Sequence, residues 1–135
     1  MSCSIIRHGI DIVEVSRIQK AILKSDSFLK KVFTQKEIEY CETKKQRRYQ
    51  SYAARFAAKE ALLKALGTGW SQGIAWTDIE TLNDEFGKPD LFLYGKAKEI
   101  LESYGLDNIS VSLSHTKEIA VGSVVLTYNE VTADR

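Results

Sequence analysis

Asp11 stands among aliphatic residues in Gly9-Ile10-Asp11-Ile12-Val13. A carboxylate in such company is costly unless a cation, a hydrogen-bond donor or water meets it. Taken alone, it reads more readily as a solvent-facing edge-strand aspartate, or as the cap of a helix beginning near Val15, than as a metal ligand. A second constellation lies in Arg55-Phe56-Ala57-Ala58-Lys59-Glu60-Ala61-Leu62-Leu63-Lys64-Ala65-Leu66-Gly67-Thr68-Gly69. Glu60 and Lys64 are four apart and so are neighbours on a helix surface, as are Arg55 and Lys59. Glu before Lys at this spacing is usually a solvated pair worth roughly a few tenths of a kcal/mol. The Gly67-Thr68-Gly69 loop adds weight to a ligand site, because glycines let backbone N–H groups approach a phosphate that the nearby cations also attract. His115 closes Ser112-Leu113-Ser114-His115 at a strand exit, where an imidazole can meet a phosphate or simply face solvent in a hairpin. Ser114 and His115 are adjacent on a strand and point to opposite faces, which excludes a serine-hydrolase dyad.

Other polar and aromatic groups have plainer readings. Lys44-Lys45-Gln46-Arg47-Arg48 is a basic run that suits an acidic protein, although its default is a solvated helix junction. Trp70 and Trp76 are expected to pack, since no interleaving of basic and aromatic residues makes them a base-stacking platform. Cys3 and Cys41 match no metal or redox spacing and are read as reduced, structural thiols.

The elements that must position these groups follow from hydrophobic period. Residues 4–13 alternate as a strand, with Ile6, His8, Ile10 and Ile12 on one mostly apolar face and Asp11 on the other. From Val15 the period becomes helical through Ile18, Ile22 and Leu23, and Phe28, Leu29, Val32 and Phe33 continue the apolar surface after Ser25-Asp26-Ser27. Thr34 and Glu37 form a capping-box pattern for a short helix ending near Lys45. Residues 48–66 make the strongest predicted helix, rich in Ala, Leu, Lys and Glu and closed by Gly67. Strands are expected over 74–82 and 91–94 around a turn at 83–89, then a helix over 95–104 and a strand pair over 109–113 and 119–128, with fraying from Asn129. The order predicts an α+β fold with an antiparallel sheet and helices packed on one side.

A chain of 135 residues, 44% hydrophobic and 27% charged, suits a single domain over residues 1–135 with its own core. A formal charge of +1 argues neither for a nucleic-acid-coating protein nor for a membrane-surface one, and neither partner is expected. The first residues carry no signal-peptide pattern, and no apolar run reaches the roughly 18 residues of a membrane span, so the expected location is the cytoplasm.

Three separated blocks resemble the holo-acyl-carrier-protein synthases, the small bacterial type of 4'-phosphopantetheinyl transferase. They are Gly9-Ile10-Asp11-Ile12-Val13-Glu14-Val15-Ser16-Arg17, the Arg55–Gly69 run with its Lys59-Glu60-Ala61 and Lys64-Ala65-Leu66-Gly67-Thr68-Gly69, and Leu113-Ser114-His115 with the strand after it. Phe86-Gly87-Lys88-Pro89 matches the family's turn between the second and third blocks, so the resemblance spans nearly the whole chain. His8, where an apolar residue is expected, and Gly122, where alanine is more usual, depart from the pattern.

The resemblance implies a phosphopantetheinyl transferase-like fold and transfer of the 4'-phosphopantetheine of coenzyme A to a carrier-protein serine, in support of fatty acid biosynthesis. It implies that Asp11 and Glu60 hold one Mg²⁺, an ion that commonly takes one or two carboxylates plus substrate oxygens and waters. Catalytic roles then fall to Asp11, Glu60 and Lys64, with Lys64 against the β-phosphate of coenzyme A. Arg55, His115, Gly67, Thr68 and Gly69 would hold the nucleotide portion, and Arg17 the acidic helix of the acyl carrier protein. The general base is either Glu60 or a metal-bound water. The family forms homotrimers with coenzyme A between subunits. A magnesium-dependent nucleotide phosphohydrolase and a non-catalytic coenzyme A-binding scaffold are the competing readings.

Overall fold

The computed structural model describes residues 5–128, so Cys3 and the residues from Asn129 lie outside the described residues. In chain order the elements are β1 (Ile6–Glu14), α1 (Val15–Lys24), α2 (Asp26–Val32), α3 (Gln35–Glu42), α4 (Arg48–Leu66), β2 (Ile79–Asn83), β3 (Pro89–Leu93), α5 (Gly95–Ser103), β4 (Asn108–His115) and β5 (Ile119–Thr127). Short 3-10 turns at Lys45–Arg47 and Trp76–Asp78 precede α4 and β2. The sheet is not continuous. β1, β5 and β4 form one antiparallel sheet in that order, and β2 and β3 form a separate hairpin.

Local chemistry sets these boundaries. Thr34 and Glu37 complete the expected capping box: the Glu37 N–H donates to Thr34 Oγ1 at 3.2 Å, and the Thr34 N–H to Glu37 Oε1 at 2.9 Å. Gly67, at φ 77°, ends α4, with its N–H returning to Lys64 O at 3.2 Å and that of Thr68 to Leu63 O at 3.3 Å, a Schellman closure. In the β2–β3 turn, Asp84 Oδ1 accepts from the N–H groups of Phe86 and Lys88 at 2.8 and 2.9 Å.

The strand expected from residue 74 begins only at Ile79. Lys59 Nζ takes the carbonyl oxygens of Trp76, at 3.1 Å, and Ile79, while the carboxylate of Asp78 accepts from Ala75 N–H at 3.1 Å. Side chains thus satisfy Trp76 O and Ala75 N–H, the Asp78 N–H returns to Ala75 O at 3.0 Å, and the ladder with the β3 side is reached only at Asp78 O, which accepts from Tyr94 N–H at 2.8 Å. Its partner strand starts two residues earlier than expected, at Pro89, a first-residue position where the missing N–H is tolerated.

α4 is the axis of the core. Its N-terminal half packs with Val13, Val15, Ile18, Val32 and Phe33, and its C-terminal half with residues of β2, β3, α5, β4 and β5. The sheet approaches α4 so closely that a Cβ on Gly9 would lie 1.8 Å from Ala61 O, and one on Gly122 2.6 Å from Ala58 N. Gly122 is therefore required by this contact. The apolar face expected on β1 points away from α4: Ile6, Ile10 and Ile12 are 68%, 56% and 66% exposed. His8 shares that outer face and is hydrogen-bonded to Ser123 Oγ at 2.9 Å.

One ion pair is sealed inside. Lys59 Nζ donates to Glu37 Oε1 at 2.9 Å, both side chains being fully buried, and Glu37 Oε2 accepts from Thr81 N–H at 2.9 Å. Desolvation holds the Lys59 ammonium below the ordinary lysine range against the pull of Glu37. The pair ties α3, α4 and β2 together.

Candidate active site

α4 carries functional side chains on two sides. Arg55 and Glu60 are five residues apart, which at the α-helical pitch turns them by about 140° around the axis. Glu60 and Lys64 share a side, and β1 brings Asp11 to it. Lys64 Nζ donates to Asp11 Oδ1 at 3.1 Å and to Ile10 O at 3.0 Å. Asp11 is mostly covered, with 17% of its side chain exposed, while Lys64 remains open to solvent. Trp70 Nε1 donates to Glu60 Oε1 at 3.4 Å. A row of rings extends from there: Trp70 to Trp76 at 3.8 Å, Trp76 to Phe56 at 5.0 Å, and the Arg17 guanidinium over Phe56 at 5.6 Å. Asp11, Glu60, Lys64 and Arg17 thus belong to one neighbourhood.

Arg55 and His115 belong to another. They line a cleft of about 300 Å³ whose walls include Tyr40, Lys44, Arg47 and Asn83. Arg55 is only 3% exposed. Its Nη1 donates to Ser51 Oγ at 3.0 Å, its Nη2 to Asn83 Oδ1, and the guanidinium lies 4.3 Å over the Tyr40 ring. Its Nε is buried without a hydrogen-bond partner among the described residues. A buried guanidinium at the wall of a cleft that other cations also line suits an anionic ligand.

The Gly67-Thr68-Gly69 loop is not brought to Arg55 and His115. It lies twelve residues further along α4, a rise of about 18 Å. It also closes a helix C-terminus, whose carbonyl end disfavours phosphate. Thr68 is buried and donates its hydroxyl to Gly69 O at 2.9 Å, so it is turned inward. The loop sits beside the Glu60 and Lys64 side instead.

Sequence reasoning did not select Tyr40, Lys44, Arg47, Asn83 or Trp70 for the site. The basic run containing Lys44 and Arg47 was visible, and its pairing with a strand-end histidine is supplied by the tertiary fold. Nothing local links Asn83 with Arg55, 28 positions away. Cys41 is a free thiol, wholly buried, and burial pushes it up to about 11, which makes it a packing group.

The donor chemistry fits a hard divalent cation on the first side. Asp11 and Glu60 offer carboxylate oxygens beside one lysine, and no group of three or more His, Cys, Asp and Glu suited to a fully protein-bound metal occurs among the described residues. Two carboxylates with the remaining positions left to substrate oxygens and water is the Mg²⁺ pattern, not the zinc one.

A helix flanked by a carboxylate-lysine site on one side and a cationic cleft on the other, packed on a three-stranded sheet, suits a protein that handles a phosphorylated ligand. The family model describing the 4'-phosphopantetheinyl transferase superfamily matches residues 7–127. The holo-acyl-carrier-protein synthase of Ruminiclostridium cellulolyticum is 53% identical over 90% of this chain and 92% of its own. The fold superposes on the holo-acyl-carrier-protein synthase of Plasmodium yoelii with TM-score 0.80 and 34% identity, covering 95% and 99% of the two chains. A Bacillus anthracis enzyme of the same name, in complex with CoA (3',5'-ADP), gives TM-score 0.77 and 37% identity, covering 94% of this chain and 100% of that one. The chain belongs to the holo-acyl-carrier-protein synthases.

Proposed function

We propose that this chain transfers 4'-phosphopantetheine from coenzyme A to a serine of an apo-acyl carrier protein, releasing 3',5'-ADP, in the cytoplasm and in the service of fatty acid biosynthesis. The observation that carries the reading is the cleft that Arg55, His115, Lys44 and Arg47 line together. Such a cleft suits the phosphorylated adenosine of coenzyme A. Family membership and the Bacillus anthracis relative, solved with CoA (3',5'-ADP), support the assignment.

In this reading Asp11 and Glu60 hold Mg²⁺, which when bound supplies a hard cation that offsets charge on the diphosphate oxygens. The serine oxygen forms a bond to the β-phosphorus as the bond from that phosphorus to the bridging oxygen breaks. The serine proton leaves to Glu60 or to water, and 3',5'-ADP departs with the bridging oxygen. Lys64 neutralises the charge growing there. Arg17, beside the aromatic row that ends at Glu60, suits an acidic carrier surface and would bring the serine to the correct side.

The two sides of α4 are joined most simply between subunits, so that Glu60 of one copy and Arg55 of another bracket one coenzyme A. The exposed apolar face of Ile6, Ile10 and Ile12 is the surface we assign to that homotrimer. Intact-mass spectrometry of an apo-carrier incubated with the protein, coenzyme A and magnesium tests the reaction. A gain of about 340 Da, the mass of one phosphopantetheine, that EDTA abolishes is expected for metal-assisted transfer. No gain with several folded apo-carriers, together with free nucleotide released from coenzyme A, would move the assignment to a phosphohydrolase. Coenzyme A binding without any product would move it to a scaffold.

A further inference from the structure

Trp70 is a large aromatic residue at the end of a glycine-rich loop, and a packing role explains only part of its placement. Gly67 and Gly69, at φ 77° and 59°, turn the chain back on the end of α4. The reversal is pinned by Thr68 N–H to Leu63 O at 3.3 Å and by Ser71 Oγ to Thr68 O at 2.9 Å. It delivers the indole N–H of residue 70 to the carboxylate of residue 60, ten positions earlier, at 3.4 Å. Glu60 has no other side-chain hydrogen bond among the described residues, so Trp70 is the one donor seen on that carboxylate there.

The indole is itself held. Its ring lies against Trp76 at 3.8 Å, and Trp76 stacks on Phe56 at 5.0 Å and 25°. The Trp76 carbonyl accepts from Lys59 Nζ at 3.1 Å, and Lys59 is the fully buried cation paired with Glu37. A chain of contacts therefore runs from a buried ion pair, through two indoles in tilted contact, to one oxygen of Glu60. The other oxygen has no hydrogen-bond partner among the described residues.

We propose that Trp70 is a positioning residue for Glu60, its N–H holding Oε1 so that Oε2 is presented to the divalent cation. The inference rests on the reading that Asp11 and Glu60 hold that cation. It also gives the Gly67-Thr68-Gly69 loop a role other than cradling phosphate, namely carrying Trp70 back to the helix. A partner that orients a ligating carboxylate typically changes metal affinity by about 10- to 100-fold when removed.

The test uses the full chain with coenzyme A and Mn²⁺ as probe, reading free Mn²⁺ by electron paramagnetic resonance. Trp70→Phe keeps a ring in the stack and removes the N–H. Its Mn²⁺ dissociation constant should rise about tenfold. In phosphopantetheine transfer, the magnesium concentration that gives half the maximal rate should rise by a similar factor. Unchanged Mn²⁺ affinity in Trp70→Phe, with Asp11→Ala and Glu60→Ala both impaired, would overturn the role of Trp70 and leave the cation site standing. Equal Mn²⁺ binding by the parent, Asp11→Ala and Glu60→Ala would overturn both. If Trp70→Phe also melts early, Trp76→Phe decides, because it leaves Trp70 as the only tryptophan of the two in the chain. Its emission should change on adding Mg²⁺ and stop changing when Glu60→Gln is added. Emission insensitive to Mg²⁺ while Mn²⁺ binding persists would overturn the proposal.

Discussion

At the scale of single residues, the decisive pairing is Lys64 with Asp11 at 3.1 Å. It joins an ammonium on α4 to a carboxylate on β1, across 53 positions of sequence. The spacing of Glu60 and Lys64 announced a shared helix face, and Asp11 announced a charge in need of a partner. That the three meet follows from the fold. Asp11→Ala and Glu60→Ala should each lower phosphopantetheine transfer by at least about 100-fold, the usual scale for losing one preorganised electrostatic group. Their far-UV circular dichroism should match the parent, since neither side chain belongs to the hydrophobic clusters. Near-normal transfer at ordinary magnesium by either variant would remove the metal role from that residue. Arg55 and His115 were legible as phosphate-binding types, but their cleft was not, because Tyr40 and Asn83 reach Arg55 from a different helix and a different sheet. The glycine loop was legible as an anion-cradle composition, but its place at the C-terminus of α4, on the Glu60 and Lys64 side and away from Arg55 within one chain, was not.

At the scale of elements, α4 and its cap were readable to the residue, because propensity, glycine closure and length all agree there. β1 was readable as a strand but not in orientation. Alternation names two faces without saying which meets the core, and here Gly9 and Val13 face inward while the isoleucines face out. The inward glycine is a contact residue, set against Ala61 of α4. Gly122→Ala should destabilise the fold by about 1–3 kcal/mol, the cost of forcing a methyl into a packed contact, read as a lower urea midpoint at fixed protein concentration. An unchanged midpoint would show that α4 can retreat from β5. The 3-10 turn at Trp76–Asp78 was missed because a buried lysine, not a neighbouring strand, holds its first carbonyl, that of Trp76. Lys59→Met should therefore cost about 3–5 kcal/mol by leaving Glu37 charged and dry. Adding Glu37→Gln should recover part of that loss, and a double variant as unstable as the single would assign the cost to the carbonyls alone.

At the scale of the whole molecule, the α+β reading holds with its sheet divided in two, and the exposed isoleucines of β1 define a surface that one chain leaves open. If sites form between subunits, two inactive chains can complete each other. Asp11→Ala and Arg55→Ala, unfolded together and refolded as a mixture, should recover about a quarter of the parent activity, since random assembly gives that share of sites both intact halves. Assemblies shown to be mixed yet inactive would place both halves of each site on one chain. A further consequence follows from α4 running through both hydrophobic clusters. Neither half of the core can come apart while the other keeps its helix, so the central amides of α4, at 53–63, should exchange with deuterium only when the entire chain opens. Their uptake rate then serves as a gauge of binding without turnover. Coenzyme A held by the folded form alone should slow it by a factor of about one plus the ratio of free ligand to its dissociation constant.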